Sequence, residues 1–181
     1  MSYPLSKVTT RTGDDDMTSL SNGTRLEKDS PRVVAMGAID ELRSHIAVVL
    51  AYGPTANVRT CLVQVQRRLL EACAQLSSPG ERHITDEDVI AIEHAAERFG
   101  AQVESFKEFE MPDGPLAAAA CLVARSVCRR AEAHVVSLNT MDPVKDDSLI
   151  PFLDRLSHLL NLVASVLNKG RQEPGGDIVP P

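Results

Sequence analysis

The chain has 181 residues, a formal net charge of −6 at pH 7 and a pI near 5.4. This length suits a single domain with a core that needs no disulfide or metal to hold it together. The acidic balance argues against a nucleic-acid backbone or an anionic membrane as the main partner. An aromatic content of 3% also disfavours a base-stacking surface, so we expect no nucleic-acid partner and no membrane partner.

The four cysteines lie within apolar helical patterns, with no C-x-x-C pair and no histidine at a spacing typical of metal ligands. We interpret them as small core residues of a protein in a reducing compartment. The first eleven residues lack the apolar run of a signal peptide, and no stretch of about 18 uncharged apolar residues occurs. These patterns favour a soluble, cytoplasmic protein.

Residues 1–29 show turn-forming residues and no sustained hydrophobic period. Ser30 and Pro31 are typical of an N-cap followed by the first position of a helix. Apolar residues spaced by three and four predict helices over 31–52, 56–77, 86–100 and 115–139, and a fifth that begins between residues 146 and 148 and ends at 168. Thr85 and Asp88 are typical of a capping box at the start of the third helix.

No strand-like alternation rises above these helical patterns, although residues 106–111 read as an extended piece. We therefore predict an all-α fold, a five-helix bundle. The single domain divides into an N-terminal loop segment over 1–29, the helical bundle over 30–169 and a flexible tail over 170–181.

The helix predicted over 115–139 has two faces that both favour burial. The side predicted to face the core holds Leu116, Ala120, Val123, Val127, Ala131, Val135 and Leu138. Arg125, Arg129 and Glu132 lie on the opposite side, and their neighbours there are Ala118, Cys121, Leu122 and Val136. Arginines among small apolar residues are expected where another chain or a bound anion supplies the counter-charge. The alternative is a partly exposed face with extended, solvated arginines.

The polar loop over residues 10–18 is a candidate phosphate cradle. Its threonine hydroxyls, Gly13 and the nearby Arg11, Lys28 and Arg32 suit a polyanion. Three adjacent aspartates argue for an acidic surface turn instead, unless Mg²⁺ lies between them and the ligand. Glu-x-x-His pairs, a G-x-x-x-x-G-K-[ST] loop and a nucleophile elbow are all absent from the sequence.

Five motifs occur in one order along nearly the whole chain. They are Thr10-Arg11-Thr12-Gly13-Asp14, Lys28-Asp29-Ser30-Pro31-Arg32-Val33, Gly37-Ala38-Ile39-Asp40-Glu41-Leu42, Ala124-Arg125-Ser126-Val127-Cys128-Arg129-Arg130-Ala131-Glu132 and Arg155-Leu156-Ser157. Together they resemble the successive motifs of PduO-type ATP:cob(I)alamin adenosyltransferases. Several motifs in one order are far more specific than any one of them.

The resemblance implies a homotrimer of five-helix bundles with active sites between neighbouring subunits. It implies transfer of the 5′-deoxyadenosyl group from ATP to cob(I)alamin, with release of triphosphate. ATP, Mg²⁺ carried by ATP and cobalamin would be the ligands, and no protein ligand for the metal is assigned. A corrinoid reductase and a cobalamin-dependent mutase are the further partners that the resemblance suggests.

The resemblance also implies roles for individual residues. The ATP-binding positions are Thr10, Arg11, Thr12, Gly13, Thr18, Lys28, Arg129, Glu132 and Asp154. The cobalamin-binding positions are Phe109, Met111, Asp40 and Arg125, and the catalytic positions are Arg129, Phe109, Asp40 and Arg125. Asp40 and Arg125 match a pair that bridges subunits. Phe109 matches the residue that packs beneath the corrin and displaces the lower axial ligand; the alternative is an ordinary core aromatic.

Several positions depart from the family pattern close to the implied site. Asp16 and Asp113 replace glycines, Asp154 replaces asparagine and Ala133 replaces arginine, while Met36, Arg43 and His158 stand where tyrosine, asparagine and aspartate are usual. The added negative charge is unfavourable for binding a triphosphate. Two functions therefore follow: a working adenosyltransferase, or a catalytically impaired family member that acts as a cobalamin-binding, carrier or regulatory protein.

Overall fold

The computed structural model describes residues 13–103, 114–142 and 148–169, and the structural statements below concern these residues. Five helices form the bundle: α1 (Pro31–Ala51), α2 (Ala56–Ser77), α3 (Asp86–Gly100), α4 (Leu116–Met141) and α5 (Leu149–Asn168). The predicted five-helix bundle is confirmed, with helix ends close to those expected from the sequence. The extended piece predicted over 106–111 and the tail from residue 170 lie outside the described residues.

A short antiparallel hairpin precedes the bundle and was not expected from the sequence. Its strands are β1 (Met17–Ser19) and β2 (Arg25–Glu27), with Thr18 opposite Leu26. The hairpin is fixed to the end of α2, because the Ser21 hydroxyl donates to the Ser77 carbonyl at 2.7 Å. Strands of three residues are too short to show a hydrophobic alternation, so the pattern could not indicate them.

The core is built around α4 and α5. Helix α4 packs on α1 and on α5, α2 packs on α1, and α3 packs on α5. Helix α5 is long and apolar enough to cross a bilayer by length and composition alone, but half of its most apolar window is buried inside the bundle. Its fully buried side chains, such as Phe152, Leu153 and Leu156, show that α5 is a core helix of the bundle.

The predicted helix starts are largely confirmed. The Thr85 N–H donates to the Asp88 carboxylate at 3.0 Å, and the two residues form the expected capping box of α3. Pro31 occupies the first turn of α1 and Ser30 occupies its N-cap position. The Ser30 hydroxyl, however, makes no capping bond and is buried without a hydrogen-bond partner among the described residues.

The buried stripe of α4 is rotated from the predicted one. Leu116 and Val123, which were expected in the core, are 68% and 46% exposed. Ala118 and Cys121, which were assigned to the opposite face, are buried. The remaining buried positions are Ala124, Val127, Cys128, Ala131, Val135 and Leu138. Alanine and cysteine side chains are small, so α4 can pack closely against α1 and α5 along the face that carries them. That face is therefore the buried one, and larger side chains such as Leu116 and Val123 lie outside it.

Three of the four cysteines are buried in the core, as the sequence predicts, while Cys73 is only partly buried. All four are free thiols, and Cys61, Cys121 and Cys128 are buried. The thiols of Cys121 and Cys128 donate to the carbonyls of Leu160 and Leu153, both at 3.2 Å, and so link α4 to α5. Burial raises the pKa of Cys121 to about 12, which keeps this thiol protonated and unreactive near neutral pH.

Candidate functional site

Apart from Asp40 on α1, the described candidate residues form two groups on different elements. The hairpin group is Gly13, Thr18 and Lys28, and the α4–α5 group is Arg125, Arg129, Glu132 and Asp154. Thr10, Arg11, Thr12, Phe109, Met111 and Asp113 lie outside the described residues. No hydrogen bond or ion pair among the described side chains joins Lys28 or Gly13 to Arg129, Glu132 or Asp154. The two groups are therefore not connected directly within one chain.

Lys28 holds the loop that leads into the hairpin. Its ammonium donates to the Gly13 carbonyl, and its backbone N–H donates to the Asp16 carbonyl at 2.9 Å. A Cβ on Gly13 would lie 3.1 Å from the Met17 carbonyl oxygen and 3.4 Å from the Lys28 ammonium nitrogen. Gly13 thus allows a close approach of Lys28 that a larger residue would disturb. An adjoining cleft of about 370 Å³ is lined by Asp15, Asp16, Met17, Glu27, Lys28 and Asp29.

Asp16 adopts a left-handed backbone conformation with φ of 62°, the one described non-glycine residue with a positive φ. Glycine adopts this conformation freely, whereas a residue with a Cβ meets a cost of about 1–2 kcal/mol. Aspartate is among the side chains that tolerate it best. The loop therefore keeps the turn that a glycine would favour, with some backbone strain at Asp16.

Of the three adjacent aspartates, Asp15 has a cation of its own within the chain. Arg25 on β2 forms an ion pair with the Asp15 carboxylate at 2.6 Å. Asp14 and Asp16 are exposed beside the Lys28 loop. The acidic character of this loop is thus partly neutralised by the hairpin itself.

Arg32 is not available to a phosphate, which corrects its assignment as one of the cations near the loop. Its side chain is 5% exposed. It donates to the Asp142 carboxylate through two nitrogens, at 3.2 and 2.5 Å, and to the Leu76 carbonyl at 2.8 Å. Arg32 therefore ties the start of α1 to the ends of α2 and α4. Arg32 is close to the polar loop in the sequence, but the sequence does not show that its side chain points into the bundle.

The α4–α5 group centres on Glu132, whose carboxyl group has a raised pKa. Burial raises this pKa most, and the Asp154 carboxylate on α5 raises it further; Arg129 and His158 act in the opposite direction. Charges on both helices therefore act on the Glu132 carboxyl group: Arg129 from α4, and Asp154 and His158 from α5. The structure thus brings together three of the predicted ATP-binding residues.

Asp154 shares the cation of Arg155 with Glu93, whose carboxylate lies 3.1 Å from the Arg155 Nε. It forms a direct ion pair with Arg155, and the His158 ring nitrogen lies 3.9 Å from its carboxylate. His158 stands four residues after Asp154, on the same face of α5. Because His158 occupies a position where aspartate is usual, the negative charge gained at Asp154 is offset one turn later. The departure at residue 154 therefore adds less negative charge to the site than the sequence suggested.

Asp40 and Arg125 are not paired with each other within the chain. The Asp40 carboxylate accepts from Arg43, one turn later on α1, at 2.8 Å, and its side chain is 68% exposed. The Nε of Arg125 is buried and has no hydrogen-bond acceptor among the described residues. An unsatisfied buried guanidinium nitrogen is costly, so this side chain calls for an acceptor from elsewhere.

We expect the raised pKa of Glu132 to make folding stability depend on pH. Because the folded-state pKa lies above the unfolded value, the contribution of Glu132 is full below the unfolded pKa and is lost as pH rises through the folded pKa. Glu132→Gln should therefore gain stability relative to the native chain as pH increases. Asp154→Asn should lower the pKa of Glu132, which NMR titration of its carboxyl carbon measures.

Glu41 provides the internal control for this titration. A hydrogen bond from Arg130 lowers its pKa, and this pair joins α1 to α4 away from Asp154. Asp154→Asn should leave the titration of Glu41 unchanged. An unchanged Glu132 pKa in the same spectra would contradict the coupling between α4 and α5.

The fold of the bundle matches that of solved structures. The bundle resembles the structure of a variant of a PduO-type ATP:corrinoid adenosyltransferase from Lactobacillus reuteri complexed with cobalamin and ATP, with a TM-score of 0.82 and 24% identity. The likeness covers 90% of this chain and 93% of that one. A second variant of the same enzyme, complexed with ATP, gives a TM-score of 0.81. The chain thus has the helical-bundle fold of these structures.

The sequence comparisons then give the family. The cobalamin adenosyltransferase family model matches residues 8–167. A cobalamin adenosyltransferase from Cupriavidus metallidurans is 36% identical over 99% of this chain and 96% of its own length. A corrinoid adenosyltransferase from Mycobacterium tuberculosis is 34% identical over 98% of each chain. The chain belongs to the cobalamin adenosyltransferase family.

Proposed function

We propose that this chain transfers the 5′-deoxyadenosyl group of ATP to cob(I)alamin. The observation that carries this proposal is the family match over residues 8–167, together with relatives of nearly equal length that are named adenosyltransferases. In the reaction, an electron pair on cobalt attacks the 5′ carbon, the cobalt–carbon bond forms, and the carbon–oxygen bond to triphosphate breaks. The displaced electron pair leaves on the triphosphate, so no enzyme nucleophile is required.

The residues that would bind ATP have chemistry suited to its parts. We assign Lys28 and Arg129 to the triphosphate, because cations stabilise the negative charge that collects on the leaving group. Thr10, Arg11, Thr12, Gly13 and Thr18 belong to the loop segment around the phosphates. Glu132 and Asp154 are hydrogen-bond acceptors, which suit the hydroxyl and amino donors of adenosine better than phosphate oxygens. The main work of the site is to position the 5′ carbon in line with cobalt.

We assign the corrinoid to Phe109, Met111, Asp40 and Arg125. An apolar side chain beneath the corrin would exclude the lower axial ligand of cobalt, and the metal would then be easier to reduce to Co(I). Phe109 has the size and polarity for this task. Asp40 and Arg125 would fix the neighbouring protein surface.

Mg²⁺ fits this proposal as a companion of ATP. Among the described residues, no group of three His, Cys, Asp or Glu side chains could hold a metal ion. Mg²⁺ commonly binds through substrate phosphates and few protein ligands, and its charge would moderate repulsion between the triphosphate and Asp14 or Asp16.

A homotrimer with sites between subunits would unite the two groups. Among the described residues, no hydrogen bond or ion pair joins Lys28 or Gly13 to Arg129, Glu132 or Asp154, and the buried Nε of Arg125 has no acceptor. Asp40 of a neighbouring subunit is a suitable acceptor, because its carboxylate is exposed and is paired, within the described part of the chain, with Arg43. In this arrangement the Arg125 Nε gains a hydrogen-bond acceptor from the neighbouring subunit. The same subunit contact brings the hairpin group and the α4–α5 group together in one ATP site.

Arg125→Ala should weaken the trimer. Removing one partner of a buried ion pair costs about 3–5 kcal/mol, so the dissociation constant should rise by at least about two orders of magnitude. Light scattering over a concentration series measures this change. Arg130→Ala is the matched control, because Arg130 pairs with Glu41 at the surface and should leave assembly intact. A monomeric native chain, or an Arg125→Ala variant that assembles normally, would contradict the proposed contact.

Asp16→Gly should tighten binding of MgATP. A charge about 6 Å from a phosphate at an effective dielectric near 20 is worth roughly 3 kcal/mol, and half of that corresponds to about tenfold in affinity. The gain should appear chiefly in KM for ATP, because the contact exists in both the ground state and the transition state. Calorimetry with MgATP measures the affinity directly.

Asp16→Asn separates charge from backbone strain, because it removes the charge and keeps the Cβ. It should retain most of the gain in affinity if repulsion dominates, whereas only Asp16→Gly should improve if the left-handed backbone dominates. Equal affinities for all three proteins would mean that the Asp16 side chain points away from ATP.

The proposed activity is tested by mixing the protein anaerobically with chemically reduced cob(I)alamin and MgATP. The absorption spectrum should change to that of adenosylcobalamin, and omission of ATP should prevent the change. A spectrum that stays that of cob(I)alamin would reject the transferase activity. The family match and the relatives named as adenosyltransferases favour the transferase over the impaired alternative, and the Asp16 variants above test the departure with the clearest expected cost.

The cellular setting follows from the proposed chemistry. Reduced corrinoid must be supplied by a reductase, and the product is a cofactor that a cobalamin-dependent mutase would consume. We place the protein in the cytoplasm, where its four free thiols would stay reduced.

A further inference from the structure

The turn of the hairpin, residues 20–24, is bound to the end of α2 through one serine. The Ser21 hydroxyl donates to the Ser77 carbonyl at 2.7 Å and lies 2.8 Å from the Ser78 hydroxyl. The Ser21 N–H donates to the Ser77 hydroxyl at 3.0 Å. Backbone and side chain of Ser21 therefore both bind the same end of α2, although none of these three serines is assigned above to a ligand.

The direction of these hydrogen bonds follows from the donors that are available. A serine hydroxyl has one hydrogen, and Ser21 gives it to the Ser77 carbonyl, so the Ser78 hydroxyl must donate to Ser21. Ser77 is the last residue of α2, and the last four carbonyls of a helix have no partner inside it. Ser21 therefore satisfies a helix-terminal carbonyl while it fixes the turn.

The turn around Ser21 is held by its own hydrogen bonds. The Leu20 N–H donates to the Thr24 carbonyl at 2.9 Å, and the Gly23 N–H donates to the Leu20 carbonyl at 3.0 Å. The Asn22 side chain accepts from the Thr24 N–H at 2.9 Å, and Gly23 takes the left-handed conformation with φ of 84°. Ser21 thus belongs to a well-defined turn, so its position determines where the two strands lie.

The strands themselves pack loosely on the bundle. The helices pack extensively on one another, whereas β1 and β2 make sparse contacts with them. Leu20 is buried, but Leu26 is only partly buried. A cavity of about 220 Å³ is lined by these two leucines and, on α4, by Leu138 and Met141. Apolar packing therefore gives the hairpin limited support, and the bonds of Ser21 contribute a large share of its attachment.

We propose that Ser21 is a positioning residue for MgATP, an inference that rests on the adenosyltransferase function proposed above. The loop of Asp16 and Lys28 closes the opposite end of the hairpin, about four residues from the turn, which is roughly 13 Å along a strand. Ser21 is thus too far away to touch a triphosphate bound there. A hairpin released from α2 carries Lys28 out of place, so the apparent affinity for MgATP falls with the fraction of released hairpins.

Hydrogen exchange of the complete chain tests the attachment without a ligand. Ser21→Ala should speed the exchange of the amides of residues 17–28 about fivefold, the effect of losing two solvent-exposed hydrogen bonds, and should leave α5 unchanged. Ser21→Thr keeps the hydroxyl and should exchange like the native chain. Ser19→Ala is the matched control, because it removes an exposed hydroxyl of β1 that has no hydrogen bond among the described residues.

A double variant tests whether the serines act through their shared bond. Ser78→Ala removes one hydrogen bond that Ser21→Ala also removes. The exchange rate of the double variant should therefore rise by less than the product of the two single effects. Independent effects that multiply would contradict the assigned contact between Ser21 and Ser78.

Initial rates across an ATP series separate positioning from a general loss of stability. Ser21→Ala should raise KM for ATP by about two- to fivefold and leave kcat unchanged, because bound ATP itself holds the hairpin in place. Calorimetry with MgATP should show the same loss of affinity. A native chain without transferase activity would reject the proposed function alone, since calorimetry still measures positioning. Unchanged exchange in Ser21→Ala, or faster exchange with native affinity for MgATP, would overturn the role of Ser21.

Discussion

Lys28→Ala is expected to reduce kcat/KM for adenosyl transfer by about 10²–10³-fold, the usual effect of removing one group that stabilises developing negative charge. The Lys28 ammonium also closes the loop by binding the Gly13 carbonyl, so its loss should loosen the proposed phosphate contact. Both effects should raise KM for ATP and lower kcat. Initial rates of adenosylcobalamin formation across an ATP series measure the two parameters separately.

Two further variants define what Lys28 contributes. Lys28→Arg keeps the charge but brings a larger, planar group against Gly13, so it should recover part of kcat without restoring KM. Lys169→Ala removes an exposed lysine just beyond α5 and should behave like the native enzyme. A fully active Lys28→Ala variant would remove the hairpin from the proposed ATP site.

Arg32→Ala is expected to lower the free energy of unfolding by about 2–4 kcal/mol. The change removes a buried side chain, leaves the Leu76 carbonyl without its donor and breaks the link to Asp142. Asp142 is 61% exposed at its side chain, so water can solvate it after the change, which keeps the cost below that of a fully buried pair. Urea unfolding followed by far-ultraviolet circular dichroism measures the loss.

Arg130→Ala supplies the comparison for Arg32. Arg130 and Glu41 pair at 2.5 Å, like Arg32 and Asp142, but both partners are about half exposed. A surface pair contributes about 0–1 kcal/mol, so this variant should unfold almost as the native protein does. Equal losses in the two variants would mean that burial of Arg32 does not determine its contribution.

The helices could be predicted because each buries one face against the bundle. Apolar residues at spacings of three and four marked all five helices, and Thr85 with Asp88 marked a helix start. The rotation of α4 could not be predicted from hydrophobicity. Its buried stripe depends on how closely small residues let α1 and α5 approach, which is a property of the packed pairs of helices.

Some features of the candidate site could not be predicted from the sequence, because they depend on backbone pairing and on the direction in which side chains point. The hairpin forms through backbone pairing of two three-residue strands. Strands this short do not show a recognisable alternation of apolar and polar side chains. Arg32 follows Lys28 by four residues, yet one side chain turns into the bundle and the other to the loop. The ion pair of Asp154 with Arg155 becomes evident only when the two side chains are placed on α5.

The most direct test of adenosyl transfer follows the 5′ carbon and the phosphates of ATP in one anaerobic reaction. With ATP labelled with ¹³C at the 5′ position and chemically reduced cob(I)alamin, we expect a carbon resonance of a cobalt-bound methylene group. Phosphorus NMR of the same sample should show tripolyphosphate in an equal amount. Release of phosphate or pyrophosphate without a cobalt-bound carbon would contradict the proposed reaction.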